Sequence, residues 1–182
     1  MRASTFDENL DKSSFSTASA YATATALQKA LEVATDSNAH LVIGADTVVD
    51  LDGDVLEKPA DAQDAVRMLS KLSGTRHCVH TGVALVFPRA RDPVTHACPR
   101  VVTFSESTRV TFGRVPPAAI AAYVATGDAF GKAGAYGVQG AAGSFVTGIE
   151  GCYHNVVGLP LHRLSAELLA LIDAGVLDEA KT

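Results

Sequence analysis

The chain has 182 residues, 47% hydrophobic and 19% charged, so it can form a substantial core and does not have a disordered composition. A formal charge of −5 without a Lys/Arg-rich run argues against a general binder of nucleic acid or membrane surfaces. The start of the chain has no apolar segment typical of a secretory signal, and no stretch approaches the roughly 18 apolar residues that span a bilayer.

The first half of the chain predicts helices and strands in alternation. Residues 18–34 have strong helix propensity and carry apolar side chains on one face. The apolar run 41–46 predicts a buried strand that ends at Asp46, and residues 48–57 predict a hairpin around a turn at 52–54. A helix follows, with Asp61 as its N-cap.

The second half continues the pattern. Strands are predicted at 79–87, 100–112 and 144–149, and helices at 116–126 and 161–172, with a surface loop at 88–99. Strands alternating with helices indicate an α/β fold with a mixed, twisted sheet flanked by helices. The cysteines lack a CxxC spacing, which argues against a disulfide framework and favours a cytoplasmic location.

Asp46 is the first candidate for chemistry. A carboxylate at the end of an apolar strand lies where open α/β sheets place ligand groups. It could coordinate a divalent cation or accept a proton from an attacking water, and the alternative is that it caps a turn.

Two lysines are candidates for phosphate binding. Pro59 restricts Lys58 to an extended backbone, and Lys132 lies in the glycine-rich segment 127–143. That segment is either a linker or a loop whose backbone approaches a ligand, and each lysine could instead be an ordinary solvated side chain. His77 and His80 would point to opposite faces of a strand, so they cannot share a metal from it.

Several ordered motifs resemble the Maf family of nucleotide pyrophosphatases, which also forms one half of a methyltransferase-like fusion protein in animals. The matching stretches are Gly44-Ala45-Asp46-Thr47-Val48-Val49, Leu56-Glu57-Lys58-Pro59 through Ala65, residues 68–74, Thr81-Gly82-Val83, residues 132–140, Ile149-Glu150-Gly151 and residues 155–160. The resemblance covers most of the chain. It implies a single domain over residues 1–182, in two lobes with a central cleft, similar in shape to inosine-triphosphate pyrophosphatases.

The resemblance also implies a reaction and its residues. The reaction is hydrolysis of dTTP, UTP or a modified pyrimidine nucleotide to the monophosphate and pyrophosphate, with Mg²⁺ or alternatively Mn²⁺. Family members are often dimers, so a homodimer is expected. Asp46 matches the proton acceptor and a metal ligand, and Glu8 matches a second metal ligand. Lys58 matches a cationic position that is expected to be catalytic. The remaining matches are cationic phosphate-binding positions and nucleotide-specificity positions: Lys29 and Lys132, then Thr47 and Gln139.

Two departures from the family pattern suggest an alternative. The family's N-terminal strand and Ser-Pro-Arg-Arg loop are expected to be missing, because the sequence starts at the segment that follows them. Gly131 also stands where the family has an acidic residue, with Asp128 near enough to substitute in part. The alternative is therefore a catalytically impaired Maf-like domain with a role in regulation or assembly.

Overall fold

The computed structural model describes residues 4–7, 10–92, 94–96 and 98–176. The helices in this part of the chain are α1 (Ala18–Thr35), α2 (Ala62–Leu72), α3 (Pro117–Ala125), α4 (Tyr153–Val157) and α5 (Leu161–Asp173). The strands are β1 (Val42–Leu51), β2 (Asp54–Leu56), β3 (Arg76–Phe87), β4 (Arg100–Phe112) and β5 (Val146–Glu150). Within the described residues, no helix is long and apolar enough to cross a membrane.

The strands form one five-stranded sheet in the order β2-β1-β3-β4-β5, and the predicted α/β class is confirmed. β1 and β2 pair antiparallel with Leu51 opposite Asp54, so the hairpin turn consists of Asp52 and Gly53. Both turn residues have positive φ, 53° and 90°, as a two-residue hairpin turn of type I′ requires. β4 and β5 also pair antiparallel, with Arg109 opposite Glu150.

The helix ends follow from local chemistry. Thr17 caps α1 by accepting a hydrogen bond from the Ala20 N–H, and Asp61 caps α2 by accepting one from the Asp64 N–H, as predicted. Pro117 opens α3, where the missing N–H of proline costs no helical hydrogen bond. α4 was not predicted, because five residues are too few to show a helical period.

The chain divides into two compact units. Unit 1 comprises residues 1–46, 81–106 and 159–182, and unit 2 comprises residues 47–80 and 107–158. The predicted division into two lobes agrees with these units, and the cleft between lobes stays a prediction.

Unit 1 has a core formed mainly by apolar strand residues under α1 and α5. Its buried members are Val83, Leu85, Phe87, Ala90, Phe104, Leu164, Leu171 and Val176, with a neighbouring cluster of Ala30, Ala34, Ala84 and Val86. Small residues line the contact between α1 and β1. A methyl group on Gly44 would overlap the Ala26 carbonyl oxygen and lie 2.8 Å from the Ala30 Cβ, so only glycine permits this close approach.

Unit 2 has a separate core in which helices α2 and α3 meet strand residues and the glycine-rich segment. Its largest buried members include Leu56, Met68, Leu69, Leu72, Val110, Phe112, Ile120, Tyr123 and Tyr136. The segment 127–143 is therefore not a mobile linker in this structure. Ala129, Ala135 and Ala142 are fully buried, and short 3₁₀ turns span Ala133–Ala135 and Ala141–Phe145.

Candidate active site

Asp46 does not end a strand, which corrects the prediction made from the sequence. β1 continues to Leu51, so Asp46 lies in its middle, and its side chain is 8% exposed. The apolar run extends past Asp46 because Val48 and Val49 are buried as well. From the sequence alone, a charged residue inside an apolar run indicates the end of a strand, because the residue that compensates its charge is not visible there.

The partner of Asp46 is Lys29, on α1. The Lys29 Nζ lies 2.6 Å from Asp46 Oδ1, and the lysine side chain is 16% exposed. A buried carboxylate needs such compensation, since removing a charge from water costs several kcal/mol. The close approach of α1 to β1 at Gly44, two residues from Asp46, brings the two side chains within reach. Two residues predicted separately therefore form one buried ion pair in unit 1.

Lys58 and Lys132 belong to unit 2, where their chain segments are joined. The Gly134 N–H donates to the Glu57 carbonyl oxygen at 3.0 Å, so the residue before Lys58 contacts the turn that follows Lys132. Gly134 has a φ of 65° and lies against the Val49 side chain, so a side chain at this position would be both strained and blocked. The glycine-rich segment is thus fixed against β1 and β2, and Lys58 itself is exposed.

The Lys132 side chain folds back over its own loop. Its Nζ donates to the Asp128 carbonyl oxygen, and its stem lies against Gly137, where a methyl group would come within 2.8 Å of the Lys132 Cδ. The Asp128 carboxylate lies against Gly140, next to Gln139. These contacts place Asp128, Lys132 and Gln139 in one folded loop.

The nucleotide-specificity candidates also lie in unit 2. Gln139 is exposed, and Thr47 is half-buried on β1. The Thr47 hydroxyl approaches Gly158, where a methyl group would lie 3.6 Å from it. Gly158 has a φ of 121°, which allows the chain to turn at the end of α4 beside Thr47. Glu8, the other predicted metal ligand, lies outside the described residues.

Sequence reasoning missed a buried polar pair beneath the glycine-rich loop. The His77 Nε2 lies 2.8 Å from the Tyr136 hydroxyl, and the two rings pack edge to face. Burial lowers the pKa of His77 to about 4 and raises that of Tyr136, so both side chains are neutral near pH 7. The sequence shows that His77 lies in a strand, but nothing local indicates its partner 59 residues away.

His80 makes different contacts from His77, as the strand alternation requires. Its Nδ1 lies 2.7 Å from the Ser107 Oγ, and its Nε2 lies 3.7 Å from Asp50. Burial lowers the pKa of His80, and the neighbouring Asp50 carboxylate opposes that shift. Among the residues that the structure describes, no group of three or more His, Cys, Asp or Glu side chains could hold a metal ion.

The fold and these motifs define an α/β protein with the sequence blocks of a nucleotide pyrophosphatase family, and comparison with known proteins agrees. The family model described as "Maf-like protein" matches residues 1–171. The chain therefore belongs to the Maf-like protein family.

Relatives in this family have related names. The chain is 50% identical over 154 residues to a dTTP/UTP pyrophosphatase of Moorella thermoacetica, with 84% of this chain and 74% of that protein covered. It is 50% identical over 138 residues to a dTTP/UTP pyrophosphatase of Pelotomaculum thermopropionicum, with coverage of 76% and 68%.

A human relative is a much longer protein. The chain is 46% identical over 174 residues to a probable bifunctional dTTP/UTP pyrophosphatase/methyltransferase protein of Homo sapiens. The match covers 92% of this chain but spans only 28% of the human protein.

Proposed function

We propose that this chain hydrolyses dTTP, UTP or a modified pyrimidine nucleoside triphosphate to the monophosphate and pyrophosphate. Family membership and the names of the bacterial relatives support the reaction class. The observation that carries the proposal is the buried carboxylate of Asp46, held 2.6 Å from the Lys29 ammonium. It provides a proton acceptor and a phosphate-binding cation side by side.

The proposed reaction is an attack of water on the α-phosphorus. The water oxygen bonds to the α-phosphorus, its proton passes to Asp46, and the bond to the oxygen that bridges to the β-phosphate breaks. The electron pair of that bond leaves with pyrophosphate. Ammonium groups would offset the charge on the phosphoryl and leaving groups, a role we assign to Lys29, Lys58 and Lys132. Lys29 would exchange part of its contact with Asp46 for a phosphate oxygen.

Recognition of the base is assigned to Gln139 and Thr47. The Gln139 side chain is exposed, and its amide can both donate to and accept from the edge of a pyrimidine. Thr47 is half-buried near Gly158, and its hydroxyl can also donate and accept hydrogen bonds.

A divalent cation, Mg²⁺ or alternatively Mn²⁺, is part of the proposal. Mg²⁺ usually binds one or two carboxylates together with substrate phosphates, so a single carboxylate such as Asp46 fits its requirements. Glu8 would supply a second carboxylate. When bound, the cation would neutralise phosphate charge and orient the triphosphate.

A cytoplasmic location and a homodimer complete the proposal. Cys78, Cys98 and Cys152 are free thiols, as a reducing compartment would maintain them. The homodimer is supported by the family resemblance, and the binding of nucleic acid or a membrane surface is not expected from the net charge of −5.

The test is release of pyrophosphate from dTTP and UTP with Mg²⁺. Asp46→Asn should lower kcat about 10²- to 10⁴-fold, the size of a lost general base. Asp50→Asn is the matched control, since it makes the same chemical change on the same strand outside the proposed machinery. Equal turnover by wild type and Asp46→Asn would contradict the role of Asp46.

One observation favours the alternative of a catalytically impaired domain. Gly131 is exposed with no atom within 4 Å of an added Cβ, so the acidic side chain of the family pattern would fit but is not there. In that case wild type would not release pyrophosphate from either nucleotide, and Gly131→Asp would raise the activity above background.

A further inference from the structure

The His77–Tyr136 pair is a polar contact inside the apolar core of unit 2. His77 is 2% exposed and Tyr136 6% exposed. Phe112 packs edge to face against both rings, with ring centroids 5.1 Å from His77 and 4.8 Å from Tyr136. The proposed reaction uses neither of these two side chains, so their presence in the core needs a separate explanation.

The pair stabilises the core less than apolar side chains of similar size would. A neutral imidazole has one N–H and one acceptor nitrogen. The Nε2 atom of His77 contacts Tyr136, whereas its buried Nδ1 atom has no hydrogen-bond partner among the described residues. A buried polar atom left without a partner destabilises the folded state, so an apolar side chain would serve stability better. What the pair does provide is direction, because a hydrogen bond of 2.8 Å fixes the hydroxyl of Tyr136 relative to β3.

Tyr136 lies between the two proposed substrate-binding residues of the loop. Lys132 precedes it by four residues and Gln139 follows it by three. Gly134 and Ala135, directly before Tyr136, have φ values of 65° and 62°, so the backbone reverses there. The segment is held on one side by the bond from Gly134 to Glu57 and in its middle by the bond from Tyr136 to His77.

We propose that His77 and Tyr136 are positioning residues that fix the loop carrying Lys132 and Gln139, and so determine affinity for the nucleotide. The proposal rests on the pyrophosphatase function proposed above. Loss of the bond would let the loop sample other positions in the free protein, and binding of the nucleotide would then have to restore the positions of Lys132 and Gln139. Binding would weaken, whereas the bound complex, with Lys132 back in place, would turn over at an unchanged rate.

The matched variants at position 77 are His77→Gln and His77→Asn. Both replace the ring by a neutral amide, but the amide of Gln reaches the place of Nε2, whereas that of Asn reaches only the place of Nδ1. His77→Gln can keep the bond to Tyr136, and His77→Asn cannot. Tyr136→Phe removes the same bond from the other side and keeps the ring that packs on Phe112.

The expected result is a split between KM and kcat for dTTP and UTP. His77→Asn and Tyr136→Phe should raise KM about tenfold, the effect of one hydrogen bond, with kcat changed less than twofold. His77→Gln should stay within about twofold of wild type. Val110→Ala, in the same core, should lower the melting temperature and leave KM unchanged. Equal KM values for His77→Asn and His77→Gln, or a KM that follows melting temperature across all variants, would overturn the proposal.

Hydrogen exchange separates this proposal from the pyrophosphatase function. In His77→Asn and Tyr136→Phe, amide protection in residues 132–139 should fall about tenfold while that of residues 42–46 stays unchanged. A wild type without turnover would contradict the pyrophosphatase function, and the exchange data would still decide whether the bond fixes the loop. Unchanged protection in residues 132–139 of both variants would overturn the positioning role whatever the activity.

Discussion

Lys29 and Lys132, two lysines assigned to phosphate, are held in opposite ways in the two units. Lys29 projects from a regular helix in unit 1 and binds a buried carboxylate on a strand. Lys132 belongs to an irregular loop in unit 2 and binds a backbone carbonyl of that loop. Packing of α1 on β1 determines the distance between Lys29 and its carboxylate partner. The position of Lys132 is instead determined by local turns and one hydrogen bond to a distant part of the chain.

Gly44 in unit 1 and Gly131 in unit 2 are required for different physical reasons. Gly44 is needed for space, because a methyl group there would strike α1. Gly131 has a φ of 72° and open space around it, so it is needed only for backbone conformation. Close packing tolerates no added atom, whereas a positive φ costs a residue other than glycine only about 1–2 kcal/mol. The comparison therefore predicts unequal sensitivity to substitution.

Gly44→Ala should have the largest effect on stability. The added methyl would overlap the Ala26 carbonyl oxygen and force α1 away from β1, so we expect a loss of more than about 3 kcal/mol or failure to fold. Urea unfolding followed by circular dichroism measures the change. Gly148→Ala is the control, because its Cβ would meet no atom and its φ is not positive, and it should stay near wild type. Equal losses in the two variants would contradict the packing argument.

Acid should destabilise unit 2 through His77. The pKa of His77 falls from its ordinary 6.5 to about 4 on burial, so the unfolded chain binds a proton at a pH where the folded chain does not. Its contribution to stability is therefore complete above pH 6.5 and is lost as the pH falls to about 4, by about 3 kcal/mol.

Unfolding free energies of wild type and His77→Gln between pH 7 and 4 isolate this contribution, because glutamine does not titrate. The unfolding free energy of wild type minus that of His77→Gln should decrease as the pH falls. A pH-independent difference between the two proteins would show that burial does not keep His77 neutral.

Asp46→Ala should cost stability as well as activity. It leaves the Lys29 ammonium, 16% exposed, without this carboxylate, and we expect a loss of about 2 kcal/mol. The double variant Asp46→Ala with Lys29→Met should recover most of the loss, since it removes both charges. A double variant as unstable as the sum of its single variants would mean that the pair is not a coupled unit. Urea unfolding of wild type, Asp46→Ala, Lys29→Met and the double variant measures this coupling.

Gly131→Ala should have the smallest effect, a net loss of about 1 kcal/mol. Only the positive φ opposes the methyl group, and the lower flexibility of the unfolded chain offsets part of that cost. Gly131→Asp should cost less, since aspartate adopts this backbone region more readily than alanine. Melting temperatures of the two variants and wild type provide the measurement. A loss as large as that of Gly44→Ala would remove the distinction between the two regions.

Much of the fold could be predicted because its causes are local. The helical period over residues 18–34 and the alternation in 100–112 appear as a helix and a strand near the predicted bounds. Asp61 caps α2 as predicted. The predicted hairpin also formed, although its turn consists of Asp52 and Gly53 and Asp54 already belongs to β2. The order of the strands could not be predicted, because it depends on contacts between segments far apart in sequence.

Only part of the candidate site could likewise be predicted from the sequence. The ordered motifs identify Asp46 and the lysines as candidates, and the family comparison supports the choice of family. The contact of Asp46 with Lys29 was not predicted, and the position of Asp46 at a strand end was wrong. A sequence shows which charges exist, but the partner of each charge depends on how helices pack on the sheet.

By itself, then, the sequence determined the local elements, the family and the residue types available for phosphate chemistry. Only the tertiary structure decided that Asp46 lies buried in mid-strand beside Lys29, and that His77 bonds to Tyr136 across 59 residues of chain. The physical reason is the distance along the chain over which each kind of interaction acts. Helix and strand periods act over a few residues, whereas the ion pair and the hydrogen bond join residues that are 17 and 59 positions apart. Each of these polar groups needs its partner because the core excludes water.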